Sequence, residues 1–252
     1  MDRRLQVAIA AAKAAGEIAL RHFRTELKVE RKADLSPVTA ADRDCERRIA
    51  EILRDAFPDY GILGEEFGEQ GADGPKWIVD PIDGTKSFIR GIPFFATLIG
   101  LEEDGEITTG VVYAPAADDL LYAQKGHGAF DSNGPLRVSE IDRLGESMLV
   151  FGGPSVLRRT GYWGAYERLV DASARQRGYG DYFGYTFVMR GRAEAMIDVD
   201  LKPWDLAALK VIVEEAGGRF TDFDGRPSIH GGSAVASNGR IHDELLELIR
   251  KP

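Results

Sequence analysis

Apolar residues recur at helical spacing from the start of the chain: Leu5, Ile9, Ala12, Ala15, Ala19 and Phe23 share one face and predict an amphipathic helix. A polar stretch through Lys32 and Ser36-Pro37 separates it from a second helix that should open near Thr39. Thr39 and Asp42 stand at the offset of a capping box, with Asp in place of the usual Glu or Gln. Ile49, Leu53 and Phe57 give that helix its apolar face, and Pro58 ends it. The period then shortens. Gly61–Gly64 reads as a short strand delivering Glu65 and Glu66, residues 68–74 as a glycine-rich loop, and residues 77–79 as an apolar strand that Pro81 and Gly84 break into a tight loop. Residues 94–101 and 107–113, joined through an acidic turn, read as a hairpin, with shorter strands following at 120–123 and 128–130.

Polarity rises over residues 139–146, and beyond that point strand and helix patterns alternate. Strands are expected at 148–151, 195–197 and 234–236, and helices at 162–172, 182–189, 204–216 (closed by Gly217-Gly218) and 241–249. The interleaving predicts a layered, mixed α/β fold. Residues 1–138 would form an N-terminal half and 139–252 a C-terminal half, either as two lobes or as one integrated domain. A chain of 252 residues with 44% hydrophobic positions has enough length for such a core.

Charge and cysteine content narrow the function classes. The formal charge of -9 argues against a nucleic-acid or acidic-membrane binder, and no basic stripe is present. The single cysteine, Cys45, excludes an internal disulfide framework and reads as an ordinary helix residue; with no secretory or membrane-spanning stretch, a cytoplasmic protein is expected.

The chemistry concentrates in Trp77-Ile-Val-Asp80-Pro-Ile82-Asp83-Gly84-Thr85. Two aspartates flanking a proline turn can point into one space, with the Ile82 carbonyl between them, and an all-oxygen set of that kind suits Mg2+. Gly84 allows close approach of an anion, and if Gly84 and Thr85 open a helical turn their amides would face phosphate. Taken alone, the segment reads more readily as a surface turn. Glu65-Glu66 upstream and Asp205 downstream shift the balance toward a site.

These segments resemble the inositol monophosphatase superfamily of Mg2+-dependent phosphatases. The resemblance lies in Trp77 to Phe88, in Trp204-Asp205-Leu-Ala-Ala through Gly217-Gly218, in the glutamate pair after Gly64, and in Asp42 after Ser36-Pro-Val-Thr39, all in family order. It implies an αβαβα sandwich of the inositol monophosphatase/fructose-1,6-bisphosphatase type. It further implies Glu65, Asp80, the Ile82 carbonyl, Asp83 and Asp205 as ligands of more than one Mg2+, and Asp42 with Thr85 as the pair that positions the attacking water. The Gly84 and Thr85 amides would hold phosphate. Glu66 would support Glu65 or reach a metal through water, and Lys32 matches a lysine in the family's corresponding loop. The family's frequent pairing of subunits extends to a homodimer with the 94–113 hairpin at its interface.

Within the superfamily, Ser87-Phe-Ile followed by Pro93 and Thr97-Leu98-Ile99 looks like the histidinol-phosphate phosphatase branch, since inositol enzymes typically carry Asn at the Ser87 position. Lys202-Pro203-Trp204-Asp205 looks like the same branch. Asp181 could pair with the amine of histidinol phosphate, or cap the helix before Tyr182. Asp198 stands where inositol phosphatases carry a substrate-binding Glu. Arg177 and Arg190 could line the rim, and Tyr162, Trp163, Tyr166, Tyr179 and Tyr182 form an aromatic group in sequence. The expected activity is hydrolysis of histidinol phosphate, a small phosphorylated metabolite; the alternatives are inositol monophosphatase or a broad small-ester phosphatase and, outside enzymes, a Mg2+-binding interaction protein.

Overall fold

The computed structural model describes residues 2–26, 29–31, 37–72 and 74–250. Two helices come first, α1 (Arg3–His22) and α2 (Ala40–Ala56), with a two-stranded ribbon of β1 (Glu30–Arg31) and β2 (Pro37–Val38) between them. Eight strands follow: β3 (Gly61–Gly64), β4 (Gly68–Gln70), β5 (Lys76–Asp83), β6 (Ala96–Glu103), β7 (Glu106–Ala114), β8 (Asp119–Gln124), β9 (Ala129–Asp131) and β10 (Gly134–Pro135), with the one-turn helix α3 (Thr85–Phe88) after β5. They form one sheet in the order β10-β9-β8-β7-β6-β5-β3-β4. The second half contributes β11 (Met148–Phe151), α4 (Pro154–Arg159), α5 (Trp163–Ala172), β12 (Arg175–Gly178), α6 (Asp181–Met189), β13 (Ala195–Val199), α7 (Pro203–Glu215), β14 (Arg219–Thr221), β15 (Ser233–Ser237) and α8 (His242–Arg250). Its strands form a second sheet, β12-β11-β13-β15-β14.

Alternation along the strands sorts side chains into layers. Trp77 and Val79 of β5, Ile99 and Leu101 of β6 and Val111 of β7 pack with α1 and α2. Ile78, Leu98 and Val112, their neighbours in sequence, face the opposite side and pack with α6 and α7. In the second sheet, Met196, Ala234 and Ala236 join that same central layer, whereas Ile197, Val199 and Val235 face outward against α5 and α8. The order of layers is the expected αβαβα.

Two glycines seat α7. Gly100 and Gly110 oppose each other across β6 and β7. A Cβ on Gly100 would lie 2.6 Å from the Ala207 side chain, and one on Gly110 would lie 2.5 Å from that of Val211. The backbone of the large sheet therefore approaches α7 directly, which fixes the helix whose first turn carries Asp205.

Three expectations change. Residues 68–70 are not loop but the edge strand β4, antiparallel to β3; Asp73 lies outside the described residues. Pro81 does not end its strand: β5 runs on to Asp83, with a register shift between the pairs Asp80 with Leu98 and Asp83 with Ala96. A bulge tolerates a residue without an N–H, and the Pro81 carbonyl accepts the Thr97 hydroxyl at 2.9 Å. The strands β12 and β14 and the helix α4 were not signalled by apolar periodicity. No helix among the described residues is long and apolar enough to cross a membrane.

Candidate active site

The bulge in β5 creates the first half of the site. Residues three apart on a regular strand point to opposite faces, so Asp80 and Asp83 would be separated; the extra residue returns them to one side. Asp205 arrives from the first turn of α7. One oxygen from each of these three carboxylates lies within 4.8 Å of the others. Glu65, at the end of β3, hydrogen-bonds Asp80. Asp80 and Asp83 are buried and Asp205 is half-buried.

Their backbone partners set the carboxylates' orientation. Asp205 accepts the Lys202 amide at 2.7 Å, and Asp83 accepts the Tyr182 amide at 2.5 Å, capping α6 from another element. Asp42 accepts the Thr39 amide at 2.8 Å and the Thr39 hydroxyl at 2.7 Å, realising the capping box of α2. Three helix N-termini thus meet at the site, where their positive ends favour negative charge. The remaining Asp42 oxygen is 3.5 Å from the Thr85 hydroxyl, which donates over a shorter 3.0 Å to the Ile82 carbonyl. The predicted Asp42–Thr85 pair is therefore brought together, with Ile82 sharing the hydroxyl.

Crowding raises the acids' pKa values. Burial first, then the charges of Glu65, Asp83 and Asp205, pushes Asp80 well up. Burial followed by Asp181 and Asp205 does the same to Asp83. Asp205 rises to about 7 through burial, with Glu65 and Asp181 adding and the Lys202 amide opposing. Asp42 is raised chiefly by burial. Oxygen-only donors that hold protons against their ordinary preference fit a hard divalent cation, whose charge replaces those protons.

Gly84, with φ of 86°, opens α3. A Cβ there would lie 2.7 Å from the Phe94 carbonyl and 3.4 Å from Asp181 Oδ2, so Asp181 stands directly beside the Gly84-Thr85 turn. Asp181 itself adopts φ of 56° and is exposed at the rim. It is the first residue of α6 and does not cap it; Asp83 does. The dense surroundings raise its carboxyl, while Lys86 opposes. Asp198, on β13, is 8% exposed and raised to about 7 by burial, with the Val199 amide opposing and Asp181 and Asp205 adding. Gly152 makes room for it, since a Cβ there would fall 2.0 Å from Asp198 Oδ1.

Arg177 is exposed on the edge strand β12, its guanidinium bonded to the Gln176 carbonyl. Arg190, at the C-terminal end of α6, is part-buried and bridges Asp119 and Asp131. Lys32 lies outside the described residues. The five aromatic residues divide into two groups. Tyr162, Trp163 and Tyr166 pack with Phe151 and Phe223, whereas Tyr179 and Tyr182 contact Phe183. Cys45 is buried, its thiol donating to the Ala15 carbonyl and its pKa raised by burial.

Sequence reasoning passed over four residues near the site. Phe94, exposed, stacks on Phe183 at 4.4 Å and 13° beside Asp181. Lys86 supplies local positive charge. Tyr185 buries a hydroxyl with no hydrogen-bond partner among the described residues, near four of the acids. Glu46, on α2, is buried against the turn that carries Glu65. Only Glu46 left a signal, as a charge on the inward face shared with Cys45, Ile49 and Leu53.

Residues 1–251 match the model of the inositol monophosphatase family. The chain is 44% identical over 249 residues to a histidinol-phosphatase of Mycobacterium tuberculosis, covering 96% of both chains. It is 40% identical over 252 residues to a histidinol-phosphatase of Streptomyces coelicolor, covering 96% of this chain and 95% of that one. The crystal structure of the extragenic suppressor protein suhB from Bartonella henselae superposes with a TM-score of 0.93 at 34% identity, covering 99% of each chain. Motif order, layer order and full-length similarity agree, and the chain belongs to the inositol monophosphatase family.

Proposed function

We propose that the protein is a Mg2+-dependent phosphoric monoester hydrolase that converts L-histidinol phosphate to L-histidinol and inorganic phosphate. The observation that carries the chemistry is the meeting of Asp80, Asp83 and Asp205 within 4.8 Å at the start of α7 and the end of β5. Glu65, Asp80, the Ile82 carbonyl, Asp83 and Asp205 are the residues that would hold Mg2+, with more than one ion per site. Bound there, Mg2+ neutralises phosphate oxygens and acidifies the attacking water.

The chain's own groups do the positioning. Thr85 Oγ reaches both the Ile82 carbonyl and Asp42. Rotation about its Cβ–Oγ bond would turn the hydroxyl hydrogen toward Asp42, still bonded to Oγ, free the Ile82 carbonyl and leave an Oγ lone pair to accept from water. The Gly84 and Thr85 amides at the opening of α3 hold the phosphate.

Three features support histidinol phosphate as the ester. Asp181 and Asp198 offer carboxylates to an amine, and Asp181 sits beside the phosphate turn. The Phe94–Phe183 stack presents a flat apolar surface next to Asp181, suited to an imidazole. The nearly full-length similarity to histidinol-phosphatases supports the same ester, and with it a role in histidine biosynthesis. Inositol phosphate remains the second reading, favoured by the family match and by Asp198 at the position of a hydroxyl-binding acid.

Phosphate release with Mg2+ tests this directly, as specificity constants for histidinol phosphate and inositol 1-phosphate on one preparation. We expect a strong preference for histidinol phosphate. Preference for the inositol ester would overturn the substrate and keep the site; no Mg2+-dependent release from either would leave a cation-binding interaction protein.

A further inference from the structure

Glu46 is a buried carboxylate that the proposed reaction does not use, and its contacts give it a role. It lies one turn after Asp42 on the same face of α2 and is 2% exposed. Its Oε2 accepts the Glu66 amide at 2.8 Å and its Oε1 accepts the Phe67 amide at 3.0 Å. On the other side of the turn, the Glu65 amide donates to the Val79 carbonyl at 3.2 Å. The turn is thus pinned from both sides, with the Glu65 side chain reaching Asp80.

Gly64 shows how closely the parts fit. A Cβ at that position would lie 1.9 Å from Glu46 Oε1 and 2.4 Å from its Cδ, so the carboxylate can bind the two amides only because residue 64 has no side chain. A buried carboxylate serving consecutive amides is a strong, directional fixture. It holds a turn that no regular sheet pairing would otherwise fix beyond Gly64 and Gly68.

We propose that Glu46 is a positioning residue for the cation site: it clamps the Glu65–Phe67 turn and so holds the Glu65 carboxylate beside Asp80. Because Asp42 and Glu46 share one helix face, α2 sets both the water-side pair and this cation-side ligand in a single register. The inference rests on the Mg2+-dependent reading of the site and adds to it a residue that acts through the Glu65–Phe67 turn.

The test is Mg2+ binding by titration calorimetry, together with the Mg2+ dependence of turnover, for Glu46→Gln, Glu65→Gln and the double variant. Gln keeps one acceptor but turns an N–H2 toward the second amide. We expect Glu46→Gln to raise the Mg2+ dissociation constant by about 10- to 100-fold, the range for groups that orient metal ligands, with turnover at saturating Mg2+ recovering to within a few-fold. In the Glu65→Gln background the same change should add little, because the clamp then has no ligand to hold. Losses that multiply in the double variant, or an unchanged dissociation constant in folded Glu46→Gln, would overturn the proposal.

Gly64→Ala displaces Glu46 from the opposite side without altering charge, and decides the question if Glu46→Gln fails to fold. It should weaken Mg2+ similarly, and wild-type Mg2+ affinity would overturn the clamp. Asp83→Asn separates the two levels. If that variant also binds Mg2+ as the wild type does, the cation site itself is misassigned; if it loses Mg2+ while Glu46→Gln does not, only the role of Glu46 falls.

Discussion

The proposed cation side and the proposed substrate side of this site are built by different means. On the cation side, Asp80, Asp83 and Asp205 are buried or half-buried, and both Asp83 and Asp205 are tied to backbone amides of helices. On the substrate side, Asp181 stands exposed at a left-handed backbone position, next to an exposed Phe94. The first arrangement fixes carboxylate geometry through the layers of the fold. The second combines a few exposed side chains at a rim with the buried Asp198. Chemistry common to a family is expected in the rigid part and ester preference in the rim, where substitution disturbs no core.

The largest effect that can break this comparison is on Asp83. Asp83→Asn retains a side-chain oxygen for the Tyr182 amide, so α6 keeps its cap. It removes a charge from the cluster. Mg2+-dependent turnover should fall by more than about 100-fold, beyond the range for groups that merely orient ligands. Unchanged turnover, measured as phosphate release, would reject the assignment.

The same contrast governs what the sequence revealed. The grouping of Asp80, Asp83 and Asp205 was half legible: the Asp-Pro-Ile-Asp-Gly run and an Asp in the first turn of a strongly apolar helix pointed to an all-oxygen site, while the roles given to Glu65, Asp42 and Thr85 came from the family resemblance. The layered architecture followed from interleaved periodicities. The path of β5 through Pro81 was not legible, because a bulge depends on the register of β6 opposite it. Neither was β12, whose Arg175-Gln176-Arg177-Gly178 carries no apolar alternation and pairs only at a sheet edge. The Phe94–Phe183 stack joins residues far apart in the chain, and Glu46 acts on amides some twenty positions away. Local pattern carries nothing about such contacts.

Protons and Mg2+ should compete on the cation side, and the sign follows from the raised pKa values. Asp205 titrates near 7 in the folded chain against 3.8 unfolded, and Asp80 and Asp83 are also raised. Between those limits the folded state binds more protons, so the metal-free protein loses stability as pH rises from about 4 through 7. Mg2+ requires the deprotonated acids. Its stabilisation should therefore be greater at pH 8 than at pH 5.5, reaching about 2.7 kcal/mol at a hundredfold excess over Kd, or roughly 5–10 °C in Tm. Equal Mg2+-induced shifts at the two pH values, read by thermal unfolding, would show that the acids do not form the cation site.

The smallest effect probes the rim. Asp181→Asn leaves the α6 cap with Asp83 and keeps the side chain's shape beside Gly84, but removes the charge that would meet a substrate amine. A hydrogen bond to a charged group contributes about 1.5–3 kcal/mol, so kcat/KM for histidinol phosphate should fall about 10- to 100-fold while that for an uncharged small phosphate ester changes little. The direction has a second reason. Asp181 adds to the repulsion that raises Asp83 and Asp205, so its removal should ease ionisation of the cation side and leave Mg2+ affinity unimpaired. A selective loss on the amine-bearing ester with Mg2+ affinity intact would separate rim from cation site within one residue. Equal losses on both esters would place Asp181 with the rigid acids and dissolve the distinction between the two sides.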